Sequence, residues 1–159
     1  MSNVKYEKLA KICSVWMIIL GAWFMLAFIG GIDYLVAPWR INHGTWFWIS
    51  ISLLVNVFAA ALVCWRKLNW SHYFVLSVTG SWLIVQFFGH WVNMIWPPES
   101  KSVIESYYSH YKTWYLIPRM SDRIVPDGYH VILSVLICIC FYQGIKGLLI
   151  SIAGRKQHS

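Results

Sequence analysis

The residues of this sequence that could do chemistry are few, and they stand at the ends of long apolar runs. Gln86, His90 and Asn93 follow one another at i, i+4 and i+7, which places them on one face of a helix. Asp127 and His130 stand at i and i+3, at the start of another apolar run. The candidate ligand-binding residues are Asp33, His90, Asn93, Asp127 and His130.

Three interpretations of these polar residues stay open at the level of sequence. Ionisable groups in lipid are costly and normally face the bundle interior or a wet cavity, which favours a polar pocket open to the outer side. The same groups could instead hold helices together by hydrogen bonds worth about 0.6 to 2 kcal/mol each. Asp127 follows Pro126 and could simply cap its helix. Proton transfer or catalysis is a third interpretation.

No motif for metal, haem or thiol chemistry accompanies them. Neither His-x-x-x-His nor His-Glu-x-x-His occurs. His90 and His130 are both expected near the outer surface, so a single haem is conceivable, but no motif supports it. Cys138 and Cys140 are two residues apart, so on a helix they point about 200° apart. We therefore expect no catalytic residue, no metal and no cofactor. The residues suited to a metal by type alone are His43, His90, His130 and Asp33.

The elements that must position these groups are transmembrane helices. Hydrophobic residues make up 58% of the 159 residues and charged residues only 12%, against about 25% charged in soluble domains. Apolar runs at about 12–36, 45–65, 73–96 and 127–152 are each long enough to span a bilayer. The sequence predicts an all-α fold: a single transmembrane domain over residues 1–159, built as a bundle of four transmembrane helices.

Residues 97–126, between the third and fourth apolar runs, form a long polar connection that carries many aromatic side chains. Ser102 and Glu105 have the spacing of a capping box, and aromatic residues then recur at roughly helical intervals. This pattern predicts a short interfacial amphipathic helix in the outer loop. The candidate partner-binding residues of this loop are Tyr107, Tyr108, Tyr111, Trp114 and Tyr115.

The distribution of lysine and arginine predicts the orientation, because cytoplasmic loops retain these residues. The termini and the middle turn share one side, and they hold Lys5, Lys8, Lys11, Arg66, Lys67, Lys146, Arg155 and Lys156. The other side holds Arg40, Lys101, Lys112, Arg119 and Arg123. Glu7 is the one acidic residue on the first side, so that side is +7 and the other is neutral. Both termini are expected in the cytoplasm.

Several short motifs resemble those of a known group. They are Gly31-Ile32-Asp33-x-Leu35, the basic turn ending at Trp70, Glu99-Ser100-Lys101 and Val125-Pro126-Asp127. On these motifs, in the same order over most of the chain, the sequence resembles the YbjO-like inner-membrane proteins of enteric bacteria. The resemblance implies a four-helix topology and a bacterial inner-membrane location, and it implies no mechanism.

Two functions from different classes follow. The first is a non-enzymatic accessory, regulatory or immunity-type protein that binds another integral membrane protein, or a second copy of itself, among the membrane lipids. The alternative is a lipid- or quinone-binding enzyme or carrier with a polar pocket open to the outer side. Nucleic-acid binding is not expected, because the basic residues cluster at the edges of apolar runs.

Overall fold

The structure, a computed structural model, describes residues 2–26, 45–110 and 114–155. This part of the chain contains helices and no strand. The helices are α1 (Ser2–Met25), α2 (Thr45–Trp65), α3 (Ser71–Gln86), a π-helix (Phe87–Trp91), α4 (Val92–Ile95), α5 (Lys101–His110) and α6 (Gly128–Arg155). Asp33, His43 and Tyr111 lie outside the described residues.

Four of the helical segments are long and apolar enough to cross a membrane. They are Val4–Met25, Phe47–Trp65, Ser71–Ile95 and Gly128–Ala153, here called the first to fourth spans. Large apolar side chains cover their outer surfaces; Trp48 is 69% exposed and Phe88 65%. Such a surface suits lipid as the solvent. The structure thus confirms the predicted all-α bundle, and the protein is a small multi-pass membrane protein.

The first helix starts well before the apolar run that predicted a span over 12–36. Residues 2–11 continue the helix because lysine and glutamate are good helix formers and because Tyr6 is anchored. The Tyr6 hydroxyl donates to the carbonyl of Leu68 at 2.9 Å and is 3.0 Å from the hydroxyl of Ser71. This first part of α1 therefore packs on the turn between α2 and α3.

The four spans share one apolar core. α1 packs against α2 and α6, while α3 packs against α6 and α2. The core includes Met17, Leu20, Val57, Val75 and Ile137, all fully buried. Close approach depends on small residues: a Cβ on Gly21 would lie 3.0 Å from the ring of Phe58. Without a hydrophobic driving force in lipid, such close packing supplies much of the association energy.

The short helix α5 lies in the connection between the third and fourth spans, where a helix was predicted, but its first residue differs from the expected cap. The helix begins at Lys101, so Ser102 lies inside it and does not cap it. The hydroxyls of Ser100 and Ser102 are instead 2.7 Å apart, and the amide of Val103 donates to the carbonyl of Ser100 at 3.2 Å. Ile104 anchors the helix through its buried side chain.

A π-helix interrupts the third span, and the sequence pattern did not predict it. Phe87–Trp91 forms this wider turn between α3 and α4, and the helix axis continues through it. A π-turn adds one residue to a helix and so rotates the side chains that follow; such turns occur frequently at functional sites. This one contains His90, one of the candidate ligand-binding residues.

Candidate functional site between the third and fourth spans

Asp127 begins the fourth span as an N-cap. Its Oδ1 accepts a hydrogen bond from the backbone N–H of His130 at 2.9 Å and lies 3.0 Å from Nδ1 of the same histidine. The carboxylate is fully buried, and its second oxygen, Oδ2, has no partner within the described part of the chain. The capping role expected for Asp127 is therefore real, but it uses only one of the two carboxylate oxygens.

The charge of Asp127 is set by the histidine that it contacts. Burial alone would raise the pKa of Asp127, but the hydrogen bonds and charge of His130, with help from His90, hold the pKa below its ordinary value. When His130 is neutral, an Nδ1–H that donates to the carboxylate leaves Nε2 as the acceptor nitrogen. The carboxylate thereby fixes both the tautomer and the orientation of the ring.

The outer loop encloses this carboxylate. The segment 124–130 is buried along its whole length, although it contains no helix before Gly128. The hydroxyl of Tyr108 accepts from the amide of Val125 and donates to the carbonyl of Arg123, each at 3.0 Å. The amide of Gly128 donates to the carbonyl of Trp114 at 2.9 Å. A Cβ at Gly128 would lie 2.5 Å from the Trp114 ring, so glycine is required for this approach.

His90 completes a cluster of three groups. Its ring stacks on His130 with centroids 3.6 Å apart and planes inclined by 23°. The Nδ1 atom of His90 is enclosed and makes no hydrogen bond to any described residue. Asp127, His130 and His90 form what we call the outer cluster.

The first span supports the same cluster from the other side. The hydroxyl of Tyr129 donates to the carbonyl of Phe24, and the indole N–H of Trp23 donates to the carbonyl of Tyr129, both at 3.3 Å. The rings of Trp23 and Tyr129 stack with centroids 5.6 Å apart. Tyr129 also meets His130 edge to face at 5.1 Å. The first turn of α6 is therefore fixed from two directions.

A groove runs along the third and fourth spans directly below the outer cluster. Its volume is about 550 Å³, and its walls are mostly apolar. The polar groups at its outer end are Gln86, Trp91 and Ser134. Its length along α6, from Val131 to Tyr142, is about 16 Å at 1.5 Å per residue. That length is about half of a bilayer's hydrocarbon thickness of about 30 Å.

Hydrogen bonds join the outer end of the groove to the outer cluster. The indole N–H of Trp91 donates to the hydroxyl of Ser134 at 2.9 Å, and that hydroxyl donates to the carbonyl of His130 at 2.8 Å. Gln86 is 3% exposed, yet its Nε2 makes no hydrogen bond to the described residues. The outer end of the groove thus contains one hydrogen-bonded pair, Trp91 and Ser134, and one buried amide, that of Gln86, whose Nε2 lacks a hydrogen-bond partner among the described residues.

The predicted site residues have different positions in the structure. Asp127, His130 and His90 come together, whereas Asn93 is partly buried and its amide makes no hydrogen bond to another described residue. Asp33 is not in the described ranges. Trp91 and Ser134 were not predicted; Gln86 was placed on the helical face of His90 but not in the site. Serine and tryptophan inside an apolar run carry no spacing signal, so only the packing of α3 on α6 reveals them.

The predicted partner-binding aromatics mostly stabilise the loop itself. Tyr108 stacks edge to face on Tyr107 and on Tyr115, each at 5.7 Å between centroids. The guanidinium of Arg119 lies 4.4 Å from the centre of the Tyr115 ring. Burial raises the pKa of Tyr115 to about 12. Tyr111 lies outside the described residues, and a partner-binding role for the group stays a prediction.

The fold and the outer cluster together define a four-helix, multi-pass membrane protein in which a buried Asp127–His130 pair and a half-buried His90 lie above a largely apolar groove. No cluster of three or more metal-ligating side chains exists within residues 2–26, 45–110 and 114–155. No protein-family model, curated protein or solved structure matches this chain. Any function must therefore be argued from the chemistry of the groove and the outer cluster.

Proposed function

We propose that this protein binds a small lipophilic molecule of the bilayer in the groove between its third and fourth spans. The ligand's polar end lies at the outer end of the groove, below the outer cluster. The observation that carries the proposal is the amide of Gln86, which is buried without a partner at the polar end of an otherwise apolar groove. This is the alternative function expected from the sequence, a lipid or quinone binder.

The energetic argument concerns that amide. A buried donor without a partner costs about 1–3 kcal/mol, and buried polar groups in native proteins are nearly always satisfied. Lipid tails cannot satisfy it, because hydrocarbon has no hydrogen-bonding groups. A bound molecule with a polar head and an apolar tail would satisfy the amide and fill the groove at once. Pockets for small ligands have this composition: apolar walls with a few placed polar groups.

The same arrangement argues for a binder or carrier and against a catalyst. Asp127 and His130 are engaged with each other, and no activated nucleophile adjoins the groove among the described residues. We propose no bond-breaking step. The outer cluster instead gives the polar end of the groove a fixed hydrogen-bonding environment and encloses it against the outer surface.

The test is native mass spectrometry of the protein extracted gently from its own membrane. A lipophilic molecule should remain bound in a one-to-one ratio. Val135 lines the groove and is 53% exposed, so Val135→Trp should fill the groove and lower the occupancy. The matched control is Val55→Trp, since Val55 is 61% exposed on α2 and lies outside the groove. Equal occupancy in the two variants would contradict the proposal.

A second candidate is the accessory, regulatory or immunity-type role, in which the protein binds another integral membrane protein or a second copy of itself. What favours it is exposed apolar surface near the outer loop: Trp96 is 64% exposed and Leu116 53%. The same mass spectrum discriminates the two candidates. A stoichiometric protein partner, lost on Trp96→Ser or Leu116→Ser but kept on Val135→Trp, would favour this second role.

We also propose a bacterial inner membrane as the location, with both termini in the cytoplasm. One support is the net charge of +7, which falls on the side of the termini. The other is the resemblance to the YbjO-like proteins; we propose, on the motifs quoted above, that this chain is a member of that family. A reporter enzyme fused after Ser159 should be active only if it requires the cytoplasm. Activity of a periplasm-dependent reporter at that position would overturn the orientation.

A further inference from the structure

We infer that the ligand of this groove is a neutral, carbonyl-bearing ring compound of the quinone class, with one carbonyl hydrogen-bonded to Gln86. The inference rests on the proposed function and narrows it from lipophilic molecules in general to one chemical class. Three properties of the groove lead to it: the depth of its polar end, the charge of its walls and the kind of hydrogen bond that it leaves unmade.

The polar end of the groove lies deep in the bilayer. Gln86 is nine residues before Ile95, the last residue of the third span, which is about 13 Å along the helix. It lies only three residues from the middle of that span. A charge near the bilayer centre costs at least about 2.5–3.5 kcal/mol on insertion scales. The head that reaches Gln86 must therefore be neutral, which excludes a phosphate.

The lining residues of the groove also favour a neutral ligand. Among the described residues that line the groove, none is charged. A cation lies beyond each end: at the inner end the ammonium of Lys146 is 4.5 Å from the centre of the Tyr142 ring, and past the outer end Arg123 donates to the carbonyl of Met94 at 3.4 Å. An anionic phospholipid could therefore place its phosphate only beyond an end of the groove, at Lys146 or at Arg123, with a tail inside the groove. That binding would leave the amide of Gln86 unsatisfied.

The missing hydrogen bond specifies the group on the ligand. The hydroxyl of Ser134 already donates to His130 and accepts from Trp91. What remains without a partner is Nε2 of Gln86, which is a donor. A ligand carbonyl is an acceptor, and the amide of Gln86 is the donor still without an acceptor, because the N–H of Trp91 and the hydroxyl of Ser134 already donate within the protein. Phe87 and Trp91 line the same end with aromatic rings, against which a flat ring packs well.

The experiment uses the full chain in nanodiscs of zwitterionic lipid, with a benzoquinone that carries a decyl tail as the probe. Affinity is measured by quenching of tryptophan fluorescence. Gln86→Met keeps the length of the side chain and removes the donor, so binding should weaken about tenfold. Two variants should leave the affinity unchanged: Asn56→Leu, which removes an amide that bonds only within α2, and Lys146→Ala.

An infrared measurement on the wild-type protein makes the test independent of the variants' folding. With the quinone labelled at its carbonyl carbons, one C=O band should move to lower frequency on binding, and Gln86→Met should abolish that shift. Unshifted bands in the wild type, or unchanged affinity in Gln86→Met, would overturn the inference. Binding of an anionic phospholipid that depends on Lys146 and not on Gln86 would also overturn it, while the proposed function would stand. Loss of every lipophile would overturn both.

Discussion

Replacing Asp127 by alanine removes both hydrogen bonds through which the fourth span begins. The N-cap bond to the amide of His130 is worth about 0.5–2 kcal/mol. The bond to Nδ1 of His130 is lost as well, and a buried ring N–H without an acceptor costs about 1–3 kcal/mol. Because Oδ2 is buried without a hydrogen-bond partner, its removal offsets part of this loss of stability. We expect Asp127→Ala to lower the free energy of unfolding by about 2–4 kcal/mol.

The assay is unfolding in mixed micelles by stepwise addition of SDS, followed by circular dichroism and tryptophan fluorescence. The matched control is Asp122→Ala, because Asp122 pairs with Arg123 on the surface, where ion pairs contribute little. Asp122→Ala should unfold close to the wild type. If both alanine variants were equally stable, the buried carboxylate would not be stabilising the fourth span, and the geometry of the outer cluster would have been misinterpreted. A stable Asp127→Ala that lost only a cellular phenotype would refute the capping account in the same way.

Three further predictions concern the surroundings of the outer cluster. Folding lowers the pKa of Asp127, so this carboxylate contributes stability above its unfolded pKa of about 3.9, and the contribution is lost as the pH falls through the folded pKa. The free energy of unfolding of the wild type should therefore fall below about pH 4. Asp127→Asn should lose less over the same pH range, as measured by unfolding at each pH. Gly128→Ala should destabilise by about 1–3 kcal/mol because its Cβ would meet the Trp114 ring, whereas Gly89→Ala, with nothing within 4 Å, should not; equal effects would contradict the close approach. Tyr108→Phe should cost about 1–3 kcal/mol because the buried amide of Val125 loses its acceptor, and Tyr73→Phe is the control; similar stability of the two would count against the loop anchor.

The spans were predictable because lipid imposes a simple rule on sequence. A helix that satisfies its own backbone hydrogen bonds needs only about 20 apolar residues, and four such runs are visible without any structure. The early start of α1 was not visible, because the anchor of Tyr6 lies on the turn at Leu68, 62 residues away. The π-helix at Phe87–Trp91 was not visible either, since its sequence fits a regular helix equally well.

The outer cluster was predictable in part. The i and i+3 spacing of Asp127 and His130 indicated a local contact, and the structure has it at 3.0 Å. His90 could be placed at a similar depth, but its stacking on His130 depends on how α3 packs against α6. Gln86 stood on the right helical face, yet its missing partner is a property of the surroundings. Sequence periodicity identifies which residues share a face of a helix, but it does not identify which residues of a neighbouring helix pack against that face.

The aromatic loop has a structural role that its composition did not indicate. The partner-binding prediction rested on one aromatic outer loop, short cytoplasmic loops and the lack of a catalytic motif, and it stays a prediction. In the structure the hydroxyl of Tyr108 instead satisfies the backbone of the segment that leads to Asp127. That segment is buried without being helical, so its amides and carbonyls need partners from side chains. Aromatic residues with a polar tip supply such partners and apolar surface together.

The loop, the outer cluster and the groove therefore depend on one another through specific bonds. Tyr108 holds the segment before Asp127, Asp127 holds His130, and the carbonyl of His130 holds Ser134 at the outer end of the groove. This chain of hydrogen bonds, together with the stack of His130 on His90, connects the outer loop to the groove. Because buried hydrogen-bond networks are costly when partly satisfied, breaking one link should loosen the next. Tyr108 does not line the groove, yet Tyr108→Phe is for this reason expected to weaken ligand binding as well as stability, whereas Tyr73→Phe should change neither.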